Sequence, residues 1–191
     1  MKLKHALAIL LFFVCNAAFA QAYIYGAIGQ TSVGIDKAAL DDAIGSTSSS
    51  VDDKGTGFKI AGGWRLHRNF AAEVGYTDLG KASYTSSAPE ARADFKASGV
   101  TAAAVGILPL NDKFSLLAKI GLMNAKVKLE GAGGSATDTS LKNTYGFGAT
   151  YAFTQKLGVR AEYERFAKLG NRDKTGEADV DLISVGVTYR F

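Results

Sequence analysis

Seven ionisable residues carry whatever chemistry this chain has: Lys59, Arg65, Glu73, Lys119, Arg160, Glu162 and Glu164, each set among glycines, alanines and apolar residues. Glu162 and Glu164 stand two apart, so an extended strand puts both carboxylates on one face, where an acid–base dyad is one use of them. Arg160 precedes them by two on the same face. Enclosed charges of opposite sign pair, because an unpaired buried charge is too costly. Ion pairing with Arg160, Lys119 or Lys59 is therefore the reading these residues favour. Serine-based acyl chemistry needs a histidine to take the proton. The two histidines, His5 and His67, lie in an N-terminal leader and beside Arg68 in a short turn. The acidic residues Asp36, Asp41, Asp42, Asp52, Asp53, Asp173, Glu177 and Asp179 lack the spacing of a calcium loop. Gly55-x-Gly57 and Gly146-x-Gly148 do not extend into a phosphate-binding G-x-G-x-x-G. The expectation is of no catalytic residue, no metal site and no cofactor.

The elements that hold these charges have a period of two, the mark of strands with unlike faces. At the end of the chain Ile183, Val185, Val187, Tyr189 and Phe191 oppose Ser184, Gly186, Thr188 and Arg190. Leu157, Val159, Ala161 and Tyr163 oppose Gly158, Arg160, Glu162 and Glu164 in the same way. Eight such segments are predicted, at 22–33, 57–66, 70–80, 93–107, 114–128, 141–153, 157–168 and 179–191. Short connections at 67–69, 108–113 and 154–156 alternate with long polar ones at 34–56, 81–92, 129–140 and 169–178. Before them stands a sorting signal: Lys2 and Lys4, an apolar run at 6–14, and Ala18-Phe19-Ala20 as a cleavage site. Residues 1–20 are read as a signal peptide and 21–191 as one barrel domain. The single cysteine, Cys15, falls in the leader behind Phe12, Phe13 and Val14, which are too bulky for a lipoprotein site. Losing Lys2 and Lys4 takes the net charge from +4 to +2, too little to argue for nucleic acid.

No later segment approaches the ~18 apolar residues of a membrane helix, so any crossing is made by strands. The charged face decides the solvent. Aromatic residues Trp64, Phe70, Phe114, Phe153, Tyr189 and Phe191 stand near the short-turn ends on the apolar face; Phe58, Tyr76, Phe95 and Tyr145 stand nearer the long connections. Between these bands lie Ile60, Val74, Val105, Ile120, Val159 and Val185. Two aromatic girdles around an aliphatic belt, with charges on the opposite face, place lipid outside and an ionic network of Glu73, Arg160, Glu162, Lys119, Glu164 and Lys59 inside. The fold expected is an all-β, eight-stranded antiparallel up-and-down transmembrane barrel, whose lumen has just enough room for side chains.

Tyr23-Ile24-Tyr25-Gly26-Ala27, the stretch from Glu73 to Gly80, the stretch from Gly158 to Tyr163, and the C-terminal run ending in Tyr189-Arg190-Phe191 resemble the OmpA-type transmembrane barrel and its OmpX-like and opacity-type relatives. The resemblance implies an interior Glu on the third strand paired with an Arg on the seventh, positions that Glu73 and Arg160 occupy. The family's second pair, a fourth-strand Lys with a sixth-strand Glu, has no counterpart: Thr150 stands at the sixth-strand position, and Ala102, Ala104 and Gly106 are read as the inner face of the fourth. A switchable salt-bridge gate is therefore not expected.

The resemblance further implies residence in the Gram-negative outer membrane and handling by the barrel-assembly machinery through a C-terminal strand ending in Phe191. Its implied role is a monomeric surface protein displaying four extracellular loops for adhesion or envelope contacts. The loops would meet host or cell-surface ligands. Basic residues near them (Lys54, Lys81, Arg92, Lys126, Lys128, Lys168, Arg172, Lys174) would face lipopolysaccharide phosphates. The alternative function is a narrow porin-like channel for small ions and solutes. Carriage of a hydrophobic ligand would need an apolar interior, which the charged face argues against.

Overall fold

The computed structural model describes residues 22–34, 42, 45, 48–88, 90–131, 134–171 and 176–191. The signal peptide with its cleavage residues Ala18 and Ala20 lies outside the described residues, as do Asp36, Asp41, Arg172, Asp173 and Lys174. Among the described residues no helix is long and apolar enough to cross a membrane.

The strands are β1 (Ala22–Val33), β2 (Ser48–Asp52), β3 (Lys54–His67), β4 (Phe70–Ala88), β5 (Glu90–Pro109), β6 (Phe114–Gly131), β7 (Gly134–Ala152), β8 (Leu157–Asn171) and β9 (Gly176–Arg190). All pairings are antiparallel: β1 with β3, then each strand from β3 to β9 with the next, and β1 closes the ring on β9 through a ladder from Tyr23↔Arg190 to Val33↔Val180. Eight strands form the closed wall, so no ladder edge is left bare in lipid, the condition a spanning sheet must meet. The ninth, β2, is an outward continuation of the β3 line. It pairs with β4 at Asp52↔Ser83 where β3 has left off at Phe58↔Asp78.

The wall is taller than the alternation suggests. Segments expected as long loops at 81–92 and 129–140 are largely strand, so β4 to β7 rise as hairpins above the span. Two local features hid them. At Gly80 the backbone takes φ +73° and the register shifts between Asp78 and Lys81. That bulge reverses the faces: Thr77 and Leu79 point inward before it, Ala82 and Tyr84 after it. A Cβ at Gly80 would stand 2.4 Å from the Thr56 carbonyl oxygen, so glycine is required there on two counts. In β7, residues 137–140 are polar on both faces, so no period was visible.

Candidate functional site

Three cations and three carboxylates meet at mid-height inside the ring. Lys59 comes from β3, Glu73 from β4, Lys119 from β6, and Arg160, Glu162 and Glu164 from alternate positions of β8. Each is at most 9% exposed. Arg160 reaches both Glu73 and Glu162 through its guanidinium nitrogens. Lys119 Nζ lies 3.0 Å from Glu73 Oε2, 3.5 Å from Glu164 Oε1 and 3.8 Å from Glu162 Oε1. Lys59 Nζ bonds Glu162 Oε2 at 3.1 Å and also pairs with Glu164. The cluster is a charge-balanced web in which every carboxylate meets more than one cation, the arrangement that offsets desolvation of six charges. β7 makes room for it. Gly146 and Gly148 stand opposite Glu164 and Glu162, and a Cβ at Gly148 would come within 2.9 Å of Glu162 Cγ.

Two residues of this web escaped the sequence reading. Tyr23 donates its hydroxyl to Glu73 Oε1 at 2.7 Å. The Tyr25 ring lies 4.6 Å from the Arg160 guanidinium carbon and 5.8 Å from Lys59 Nζ, a cation–π seat for both. On β1 the inward Tyr23 and Tyr25 alternate with outward Ile24 and Ile28, apolar on both sides, so polarity contrast did not flag them.

Above the web the lumen is apolar, contrary to the uniformly polar interior expected. Met123, Val127, Phe166, Leu169, Val180 and Leu182 have no exposed surface, and Phe95 packs against them. Phe95 thus belongs to this inner layer rather than to the lipid-facing girdle. The layer is packed side chain against side chain and leaves no space for a carried ligand. The face of β5 is likewise corrected. Val105 is 1% exposed and points inward with Ile107, while Ala102 and Ala104 point outward. The run Ala102-Ala103-Ala104 offers no contrast between faces, so alternation could not set its phase. Thr150 is buried on the inner face of β7, and β5 presents no lysine to the web.

The outer wall inverts the polarity of a water-soluble barrel: Ile120 is 70% exposed, and its neighbour Lys119 is 9% exposed. Trp64, Phe70, Phe153, Tyr189 and Phe191 are exposed around the short-turn end, and Phe114 is partly so. Tyr151–Phe153 and Tyr189–Phe191 meet edge to face at 5.3 Å. Near the opposite rim lie Phe58 and Tyr76, 6.2 Å apart. On the β7–β9 side of the same rim, Arg165 stands opposite Tyr145 and grips Asp181 with two hydrogen bonds of 2.6 and 2.8 Å. Above the belt on β4–β6 is a basic outward face: Lys81, Lys96, Lys126 and Lys128, with Lys81 Nζ 2.8 Å from Asp94. Asp94 lies beyond the membrane-spanning stretch. Hydrogen bonds from Lys81, Ser83 and Arg92 hold its carboxyl down at about 2.

His67 ends β3 at the β3–β4 turn, its ring 6.5 Å from that of Phe70 and its Nδ1 accepting the Asn69 N–H at 3.4 Å. No group of three metal-ligating side chains occurs among the described residues.

A closed antiparallel ring with ionic residues inside, aliphatic residues outside and aromatic bands at its margins defines a transmembrane barrel of the outer membrane. The chain belongs to the OmpA-like transmembrane domain family, whose model matches residues 21–191. Over 136 residues it is 31% identical to outer membrane protein A of Salmonella typhi, and likewise to that of Yersinia pseudotuberculosis. Each match covers 68% of this chain and 38% of the relative, so the chain spans well under half the length of these curated relatives. Neisserial surface protein A is similar in structure with a TM-score of 0.63 at 18% identity, over 89% of this chain and 97% of that one. Ail of Yersinia pestis follows at 0.59 and 19%, covering 90% and 99%. The N-terminal barrel domain of Pseudomonas aeruginosa OprF is similar at 0.55 and 11%, covering 90% and 98%. These three show the fold.

Proposed function

We propose that this protein is a structural and surface-display barrel, exported behind a cleaved leader. Its working surfaces are the outer wall and the hairpins above it rather than its lumen. The observation that supports this most is the closure of the lumen by two stacked layers, the ion web and, above it, the apolar plug of Met123, Val127, Phe166 and Leu182. An ion crossing the barrel would have to pass both a fully paired web and a dry constriction, so the channel reading has less support. Four hairpin ends facing outward are the parts free to meet host or cell-surface ligands. The outward lysines Lys81, Lys96, Lys126 and Lys128 support contact with lipopolysaccharide phosphates by charge, with Lys81 shared with Asp94, and Lys96 and Lys128 shared with Glu130. The C-terminal strand β9, with Phe191 beyond it, is the segment presented to the barrel-assembly machinery. A complete ring leaves no edge to share with a second copy, in keeping with a monomer. With His67, the one histidine among the described residues, at the short-turn end of β3, the barrel is read as non-catalytic.

Single-channel recording in planar bilayers tests the closed lumen: at most small, brief ion currents are expected, and a large stable conductance would overturn the reading. Binding of lipopolysaccharide and of cell-surface extracts is then compared before and after replacing the outward hairpin ends with short turns. Undiminished binding after replacement would remove the hairpins from the function.

A further inference from the structure

Below the ion web, at the short-turn end, the lumen opens into a vestibule of about 600 Å³ that the closed-lumen reading leaves without a role. Such a volume falls within the ~300–1,000 Å³ usual for small-molecule sites. Its lining is strongly one-signed. Arg65 on β3 and Arg190 on β9 flank β1, both on inward positions, and Arg68 stands at the rim. No carboxylate lines the cavity among the described residues, and neither arginine has an ion-pair partner among them. Arg160 forms the floor. Its terminal nitrogens are engaged by Glu73 and Glu162, but its buried Nε has no hydrogen-bond partner. Hydroxyl donors Ser115, Thr150 and Thr188 share the wall with Leu66, Ile107 and Leu117.

Structural arginines inside a barrel are expected to meet acids, as Arg160 does. Arg65 and Arg190 instead line, with no acid beside them in the wall, a partly enclosed space with an apolar side, where charges are poorly screened. A planar guanidinium fork matches carboxylate and phosphate oxygens two at a time. We propose that this vestibule is a periplasm-facing site for an oxyanion, the carboxylate or phosphate of a small solute, seated between Arg65 and Arg190. The apolar wall receives a compact hydrocarbon body attached to it. The site opens only toward the short-turn end, since the ion web closes its other side, so the ligand enters and leaves by one mouth.

The test uses the refolded protein in zwitterionic micelles, titrated separately with inorganic phosphate and with N-acetyl-leucine, and followed by NMR of the arginine side-chain Nε–H and backbone amide signals. Saturable shifts at Arg65, Arg190 and Thr188 are expected in at least one arm, and the arm that saturates identifies the source of the oxyanion. In the R65Q/R190Q double variant the apparent affinity should fall at least tenfold, with partial recovery in R65K/R190K. R92Q, on the opposite end, should leave it unchanged. Folding of every variant is checked by its faster gel migration before boiling. Absence of saturation in both arms, equal binding by the folded double variant, or shifts confined to the hairpin ends would each overturn the site.

Discussion

Removing Arg160 probes the web most directly, because its guanidinium bridges two carboxylates from different strands and covers the Tyr25 ring. In Arg160→Ala two lysines remain to balance three buried carboxylates. Glu73 keeps Lys119 at 3.0 Å, so it is not stripped of every partner. Breaking a buried pair by deleting one member costs about 3–5 kcal/mol, and the surviving lysine places the expectation near the lower bound, about 3 kcal/mol. Adding Glu73→Gln restores charge balance, with Lys59 and Lys119 against Glu162 and Glu164. The double variant should therefore be more stable than the two single losses added together, by about 1–3 kcal/mol. The assay is urea unfolding in micelles, read as the loss of the fast-migrating band on unheated gels. If the two single costs simply add, or if Arg160→Ala unfolds at the wild-type midpoint, these charges are not coupled and the account of the web fails.

Phe166→Ala should cost about 3–5 kcal/mol in the same unfolding assay, as for a large side chain removed from a packed core; a cost below about 1 kcal/mol would mean the upper plug is loose. Gly80→Ala should destabilise by about 1–3 kcal/mol, since it forces a Cβ into left-handed backbone and against the Thr56 carbonyl; a neutral result would show that the bulge can relax. For Asp94, a carboxyl NMR titration should place the midpoint at about 2, against about 3.9 for a free aspartate. Because the folded value is the lower one, its contribution to stability is present above the unfolded value and disappears as pH falls toward about 2. Lys81→Ala should move the midpoint upward, and an unchanged midpoint would exclude the Lys81 contact.

Much of the barrel was legible because its two solvents are written residue by residue. Along β9, Ile183, Val185 and Val187 against Ser184, Gly186 and Thr188 announces a wall between unlike media, and the polarity of β8 says which medium is enclosed. Where both faces share one polarity, the signal vanishes. Ala102-Ala103-Ala104 left β5 without a phase, Tyr23 and Tyr25 were hidden among isoleucines, and the polar run at 137–140 passed for a loop. The reversal at Gly80 shows a second limit, since one bulge exchanges inside and outside for every residue after it.

From the sequence alone came the strand character of the wall, its eight-fold count and the identity of the six enclosed charges, because a period of two is a property of neighbours along the chain. Glu73 and Arg160, 87 residues apart, were paired by resemblance and not by any spacing along the chain; only the closed ring decided how Lys59, Lys119, Glu162 and Glu164 join them in one web. The ring also decided what lies above and below the web. Height within a barrel depends on the register of every strand at once, so neither the apolar plug around Phe166 nor the paired arginines of the lower vestibule is visible in any single segment.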